Sequence, residues 1–407
     1  MLFAVGAVTG TVLSFEFGLL WPRFMDRFGD AFGIAFAIEG LFFFLEAIFI
    51  AIYIYGWDRL SPRAHMWAAV PIVISGVGGA FSVIAANAWM NQPQGFKLDS
   101  TGHVVNVDPW AVIFNNAMPY ETVHMLVAAY LVAGFLVASV YAAGMLRGRR
   151  DRYHRLGFTI AFTVAAIATP IQMLVGDTVA RWTYNNEPRK FAAIELVPKT
   201  SSDVPETLFG HLNSQGQVVG GFAIPGLASI LSDPSTGTST VIQGLDSYPQ
   251  SSRPTNSEVN IVHLGWDVMI GIGTLLTLLS FWYGAIWLFR RRLPKSKVFL
   301  WIASGAGVLA VVAMEAGWTV TEVGRQPWIV SNYMKVSQGA TTHTGVWITF
   351  LVILGLYIGV GVTLVLILRA MSTRWRAQPA LAETEVPYGP REPVEVPART
   401  EQEAPVS

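Results

Sequence analysis

What most constrains this chain is a succession of apolar stretches, each long enough to cross a bilayer and separated from the next by a polar segment. About 20 apolar residues suffice for a helical span, and roughly eight such stretches occur, at 1–20, 31–56, 66–90, 119–146, 156–180, 259–289, 298–318 and 344–371. With 52% hydrophobic residues and a mean hydropathy of +0.45, the chain is too apolar for one soluble core. The expected fold is all-α: a polytopic transmembrane helical bundle over residues 1–371, with a long extracytoplasmic loop at 181–258 and a tail at 372–407.

Lys and Arg collect on the cytoplasmic side of membrane proteins, which sets the orientation. Arg59 and Arg63 follow the second span; Arg147, Arg149, Arg150, Arg152 and Arg155 follow the fourth; Arg290, Arg291, Arg292, Lys295 and Lys297 follow the sixth; Arg369, Arg374 and Arg376 close the last. Alternate loops are therefore cytoplasmic, and 91–118, 181–258 and 319–343 lie outside. Residues 377–407 hold six Glu, two Arg and six Pro with little apolar content, the composition of a disordered cytoplasmic extension. The chain opens directly in apolar sequence, with no signal peptide ahead of the first span.

Composition also excludes whole classes of chemistry. Zero Cys rules out disulfides, thiolate-held iron–sulfur clusters and thiolate-ligated haem, leaving His, Met or carboxylate for any metal. The formal net charge is zero and no basic footprint stands out, so no nucleic acid partner is expected. The expected surroundings are membrane lipid.

Glu39 and Glu46 lie inside one apolar span, AFGIAFAIEGLFFFLEAIFIAIYIYGW. An ionisable side chain at mid-bilayer costs about 2.5–3.5 kcal/mol on insertion scales, so it faces a bundle interior, a partner or a cofactor. At i and i+7 the two sit on nearly the same helix face, about 10 Å apart along the axis. That spacing suits a carboxylate relay, or one metal ligand beside one proton carrier. The plainer reading is a pair of protonated glutamates hydrogen-bonded to neighbouring helices. Glu315, in Met314-Glu315-Ala316-Gly317-Trp318, is placed like Glu39 near the outer end of its span, and the three are candidates for one outer-leaflet site. Glu322 and Gly324-Arg325-Gln326-Pro327-Trp328 follow.

His124 lies near the outer end of its span and Met269 about ten residues in from the outer end of its own. His with Met is the axial pair of a low-spin, electron-transfer haem. A lone Met on an apolar helix is ordinarily core packing, and a His at a span end is ordinarily bland, so the pair gains weight only from its shared depth. The loop 181–258 is rich in Gly, Ser, Thr and Pro. It places Lys190 and Glu195 just beyond the membrane, where a lysine and a carboxylate suit the oxygens and protons of a quinone head; the bland alternative is a solvated charged turn.

Taken in order, these blocks resemble subunit I of cytochrome bd-type quinol:oxygen oxidoreductases, from residue 1 to about 371. The blocks are Val8-Thr9-Gly10 with Phe15-Glu16-Phe17-Gly18; Glu39 and Glu46; Gly56-Trp57-Asp58-Arg59-Leu60; His65-Met66; Ala86-Asn87-Ala88-Trp89-Met90; His124; Lys190 to Glu195; Met269; and Glu315 to Trp328. The resemblance implies His124 and Met269 as axial ligands of a low-spin haem b, and Lys190 and Glu195 as part of a quinol loop. It implies Glu315 as a ligand at a high-spin pair, haem b with haem d or a third haem b, and Glu39 and Glu46 as groups that ligate or adjoin those haems and carry protons. Trp318, Arg325 and Trp328 would hold propionates or sit between haems. Family members pair this subunit with a second multi-span subunit, often with a small single-span one, in the bacterial plasma membrane. Their substrates are ubiquinol or menaquinol and O2.

The chain departs from the family at three places. One more span, carrying a haem-ligating His, precedes the first one in the family, so the expectation is a misassigned start, a fragment, or a haem without that ligand. Asp267 stands where a basic or amide side chain is usual. After Glu195 the loop diverges into a short form rich in Gly, Ser and Pro. Two other readings compete: a haem-b quinol dehydrogenase without O2 reduction, and a proton or ion transporter built on the carboxylates, which leaves the His/Met pair unexplained.

Overall fold

The computed structural model describes residues 2–294 and 296–376; Lys295 and the expected tail beyond 376 lie outside the described residues. In chain order the helices are α1 (Leu2–Leu20), α2 (Pro22–Tyr55), α3 (Pro62–Asn91), α4 (Pro109–Ile113), α5 (Met118–Leu146), α6 (Arg152–Asn186), α7 (Pro188–Ile194), α8 (Leu227–Ser232), α9 (Asn256–Arg290), α10 (Lys297–Val323), α11 (Val336–Gly339) and α12 (Val346–Arg376). Eight of them, α1, α2, α3, α5, α6, α9, α10 and α12, are long and apolar enough to cross a membrane. The all-α expectation is borne out, and the eight spans match in order.

Most of the long helices outrun the apolar stretches that announced them. The transmembrane helix α2 starts at Pro22 rather than near 31, α6 runs to Asn186, α10 to Val323 and α12 to Arg376, past the expected boundary at 371. Hydropathy registers only the part in hydrocarbon, whereas ends are fixed by caps that stand in polar surroundings. Asp151 accepts from the His154 N–H at the start of α6, Thr255 and Glu258 form a reciprocal capping box at α9, and Ser61 opens α3. The α2–α3 turn is pinned by His65, stacked on Tyr53 with ring centroids 4.1 Å apart and hydrogen-bonded to its carbonyl at 2.7 Å.

The packed centre is a four-helix unit of α5, α6, α9 and α10, filled by Phe135, Phe158, Phe162, Tyr283 and Phe299. Glycines let its backbones approach: a Cβ on Gly134 would stand 2.9 Å from the Ala161 carbonyl of α6. Beside this unit α2 packs along α3. At the margin lie α1 and α12, whose apolar windows contain no buried residue.

The segments 91–118, 187–255 and 324–345 interlock at one end of the bundle. Ser331 N–H donates to the Met90 carbonyl, Gln92 to the Asn186 carbonyl, and Lys335 to the Ser251 carbonyl. This places all three on one side, as the charge alternation requires. The stretch after α6 is an ordered layer rather than a loose loop: two short antiparallel ribbons, Glu206–Leu208 with Phe222–Ile224 and His211–Leu212 with Val218–Val219, join α7 and α8. Phe191, Ile194, Leu196, Val204, Leu212 and Ile242 seal it onto Val259 and Val262 of α9.

Candidate functional site

A deep, mainly apolar cavity opens between α5, α6, α9 and α10 near the loop-bearing end. His124 enters it from α5, Gln172 and Gly176 from α6, Met269 from α9, and Gly317 and Trp318 from α10. The expected ligand pair thus comes together in one cavity. Each of the two side chains faces a glycine: a Cβ on Gly176 would lie 3.6 Å from the His124 ring, and one on Gly317 would lie 3.0 Å from the Met269 sulfur. The Gln172 amide nitrogen is 3.1 Å from His124 Nε2 and 3.2 Å from Nδ1, while its buried Oε1 has no hydrogen-bond partner.

Among the described residues no group of three His, Asp or Glu side chains could hold a metal ion. The wall offers one imidazole, His124, and four thioethers, Met125, Met173, Met269 and Met314, around a mainly apolar space. That set fits an iron already held in a macrocycle, which needs only two axial ligands from protein. His124 and Met269 are the residues that would hold it.

A polar septum closes the outer end of the cavity. Lys190 is ion-paired with Glu187, both lining the cavity, and Asn91 donates to Glu121 at 2.7 Å. Arg325, buried behind them, donates to Asn87 at 2.8 Å and to Glu322 at 2.6 Å. Beyond the septum lies an outer recess lined by Asn91, Glu187, Arg189, Lys190, Tyr248 and Arg325. Two buried donors here, Arg325 Nε and Trp328 Nε1, have no acceptor among the described residues, which suits acidic groups of a cofactor. Arg189 and Lys335 each approach the Trp328 ring, 5.6 Å from its centroid.

Lys190 and Glu195 do not act on one spot. Five positions along a helix turn a side chain by about 140°, so Lys190 faces the septum and Glu195 faces away from it. Glu195 is buried, and Glu206 of the first ribbon lies within electrostatic reach of it. Burial first, then the Glu206 carboxyl, push its pKa well above the usual carboxylate range. A pair of groups flanking the membrane surface together is not what the structure presents.

Glu46 points at α3, where a Cβ on Gly76 would lie 3.7 Å from its carboxylate. Gly76 and Asn87 are about three turns apart and so share one face of α3. On that face α3 meets Glu46 of α2 at one level and Arg325, with Glu322, at the other. Glu39 is on the Glu46 side of α2, within electrostatic reach of it. Glu315 is exposed on α10, a helix that packs on α5 and α9 while α2 packs on α3. The carboxylate tied into the α3 network from α10 is Glu322.

Glu322, Glu121, Glu187 and Gln172 are site residues that sequence reading passed over. Helical spacing held the signal for three of them: Glu121 precedes His124 by three, Gln172 precedes Gly176 by four, and Glu322 precedes Arg325 by three.

Comparison with known proteins returns one consistent answer. The family profile described as cytochrome bd terminal oxidase subunit I matches residues 1–375. The cytochrome bd ubiquinol oxidase subunit 1 of Bacillus subtilis (strain 168) is 29% identical, covering 84% of this chain and 74% of that protein. The cytochrome bd-II ubiquinol oxidase subunit 1 of Escherichia coli (strain K12) is 25% identical, covering 87% and 82%. The solved bd oxidase from Geobacillus thermodenitrificans superposes with a TM-score of 0.82 at 35% identity, over 91% of this chain and 84% of that one.

Proposed function

The chain belongs to the cytochrome bd terminal oxidase subunit I family, and from that premise we propose that it is the haem-carrying subunit of a quinol:oxygen oxidoreductase. It is a multi-pass protein of the bacterial plasma membrane. The observation that carries the proposal is the convergence of His124 and Met269 on one glycine-backed cavity. When bound, a low-spin haem b there, with high-spin haem b and haem d or a third haem b beyond it, supplies the electron path from quinol to O2.

The chain's own residues divide the remaining work. His124 and Met269 would hold the low-spin iron, and Gln172 would orient the imidazole. Arg325, Trp328 and Trp318 bind cofactor edges and keep water out. Lys190 and Glu187 form the polar wall that a ubiquinol or menaquinol head meets from outside, and Glu195 takes up a proton behind it. Glu39 and Glu46 form a two-step carboxylate ladder for protons moving through the membrane toward O2, and Glu322, tied to Arg325, stands at its upper end. Apolar α1 and α12, uncovered in this chain, suit a second multi-span subunit, a small single-span one, or lipid.

A reduced-minus-oxidised absorption spectrum of membranes holding the complex, with O2 uptake driven by quinol, tests this. Low-spin and high-spin haem bands with quinol-dependent uptake are expected. A complex that purifies with its partner subunit but without haem overturns the proposal.

A further inference from the structure

The outer layer, the ordered segment after α6, hangs from α9 by a ladder of side chains. The Asn256 amide donates to the Asn213 carbonyl at 2.9 Å. Asn260 accepts from the Leu212 N–H at 2.6 Å and donates to the Leu212 carbonyl at 2.9 Å, and Asp267 accepts from the Phe209 N–H at 2.6 Å. Residues 256, 260 and 267 share one face of the helix, so the chain runs down α9 from Asn213 to Phe209, a drop of about 16 Å from the helix's outer end. Asn213 stands at the water end of this ladder. Phe209 stands at the other, next to Leu208, which pairs with Phe222 across the first ribbon.

The edge of the bilayer falls at nearly the same level. From Val268 to Phe289 α9 carries no charged side chain, and Arg290, Arg291 and Arg292 mark its cytoplasmic end. A hydrocarbon core of about 30 Å takes about 20 helical residues at 1.5 Å each, a count that reaches Ile270 from Phe289. Asp267, and the Phe209 backbone bonded to it, lie one turn above that edge, in the headgroup zone. Below Asp267 the same side of α9 presents Thr274, Leu275 and Leu278, all exposed. The ribbon therefore hangs on the side of the helix that faces out of the bundle, directly above a lipid-facing surface.

The composition of the ribbon fits that zone. From Thr207 to Ser232 there is no Asp, Glu, Lys or Arg, and Phe209 and Phe222 are 62% and 67% exposed. Phe209 also has a φ of 58°, a left-handed conformation that glycine adopts freely and a bulky side chain does not. A ring held there against its backbone preference, with little protein cover, gains its stabilisation from outside the chain.

We propose that this end of the ribbon is an interfacial anchor: Phe209 and Phe222 enter the outer leaflet, with their rings at the boundary between phospholipid headgroups and acyl chains, and fix the height of the outer layer over the membrane. Aromatic rings favour that boundary. The partner is phospholipid rather than another protein, because the anchor continues the exposed apolar surface of a spanning helix.

The chain has no Cys, so Phe209→Cys, Phe222→Cys and Ser214→Cys can each carry one nitroxide label. The test places each labelled complex, with accessible cysteines of its partner subunit replaced, in vesicles of phosphatidylethanolamine and phosphatidylglycerol. Power-saturation EPR compares collisions with O2, which concentrates in hydrocarbon, and with a neutral nickel chelate, which stays in water. The ratio of O2 to nickel collisions should be several-fold higher at 209 and 222 than at 214, on the water end. A ratio at either position equal to that at 214 puts the ribbon in water and overturns the proposal. Weak collisions with both reagents mean that protein covers the rings, which overturns it as well. If neither Phe variant assembles, the wild-type complex is photolabelled with a phospholipid bearing a diazirine on its acyl chain: adducts within 208–210 or 221–223 support the anchor, and their absence overturns it.

Discussion

Gly317 of α10 faces the Met269 thioether of α9 so closely that a methyl group in place of its hydrogen would stand 3.0 Å from the sulfur. Real Cβ atoms scarcely tolerate that distance from a neighbour that cannot yield. Gly317→Ala should therefore displace the thioether while leaving His124 in place. The expected result is a low-spin haem with altered spectrum and lowered potential rather than a missing one, read by redox titration of the low-spin band.

Removal of either axial side chain is a harsher change. His124→Ala or Met269→Leu should abolish the low-spin signal and quinol oxidation with it, because each takes away one of the two protein ligands. Difference spectra of the two variants check this. An intact low-spin signal in both would refute the ligand assignment.

The tie between Glu322 and Arg325 makes a choice between two glutamates measurable. Glu322→Ala leaves a buried guanidinium without its carboxylate and loosens its hold on Asn87, so high-spin haem content should drop. Glu315→Ala leaves the Glu322–Arg325 tie intact and should lower it less. Pyridine haemochrome assays of the two variants rank them. Glu46→Gln keeps the shape but removes the titratable proton, and is expected to slow O2 consumption while sparing haem content.

Lys190 and Glu187 are 11% and 8% exposed, so solvent screens their attraction little. Lys190→Ala strands Glu187 as a buried unpaired charge, an imbalance of about 3–5 kcal/mol in comparable cases. Assembly or thermal stability should suffer, and the double variant Lys190→Ala/Glu187→Ala should recover much of it. Quinol turnover should stay low in both, which separates the structural part of the pair from its functional part.

The pH dependence of the outer layer follows from Glu195. Burial and the Glu206 carboxyl hold its pKa well above the usual range, so the folded layer keeps a proton that the unfolded chain releases above about pH 4.3. The folded state binds more protons, and stability therefore declines as pH rises from there until the folded pKa is passed. Limited proteolysis within 196–255 should be faster near about pH 8 than near about pH 5.5, and Glu195→Gln should flatten the difference.

The bundle was legible because hydrocarbon leaves little choice: each span announces itself by length and apolarity, and charged loops mark the sides. That His124 and Met269 line one cavity was legible for a related reason, since depth along a span can be counted. Direction around a helix was harder. Lys190 and Glu195 look like neighbours in a line of text but point to different sides of α7, and the α10 carboxylate paired with Arg325 is Glu322, seven residues past Glu315 and on the same face. The ribbons of the outer layer left almost no periodic signal, being two or three residues long. Their order comes from packing on α9, which no local pattern encodes.

The second ribbon ends in a tight turn held by Asn213, whose side chain accepts from the Gln215 and Gln217 N–H groups. Its tip is exposed, and the sealing contacts of the layer are made by α7, by Val204 and Ile242, and within this ribbon only at its base, by Leu212. Added length at Ser214 and Gln215 would therefore project into water without shifting the floor of the layer. That tip is the natural place to graft an affinity tag or fluorescent reporter, and the place where chains of this kind can vary in size while keeping their chemistry still.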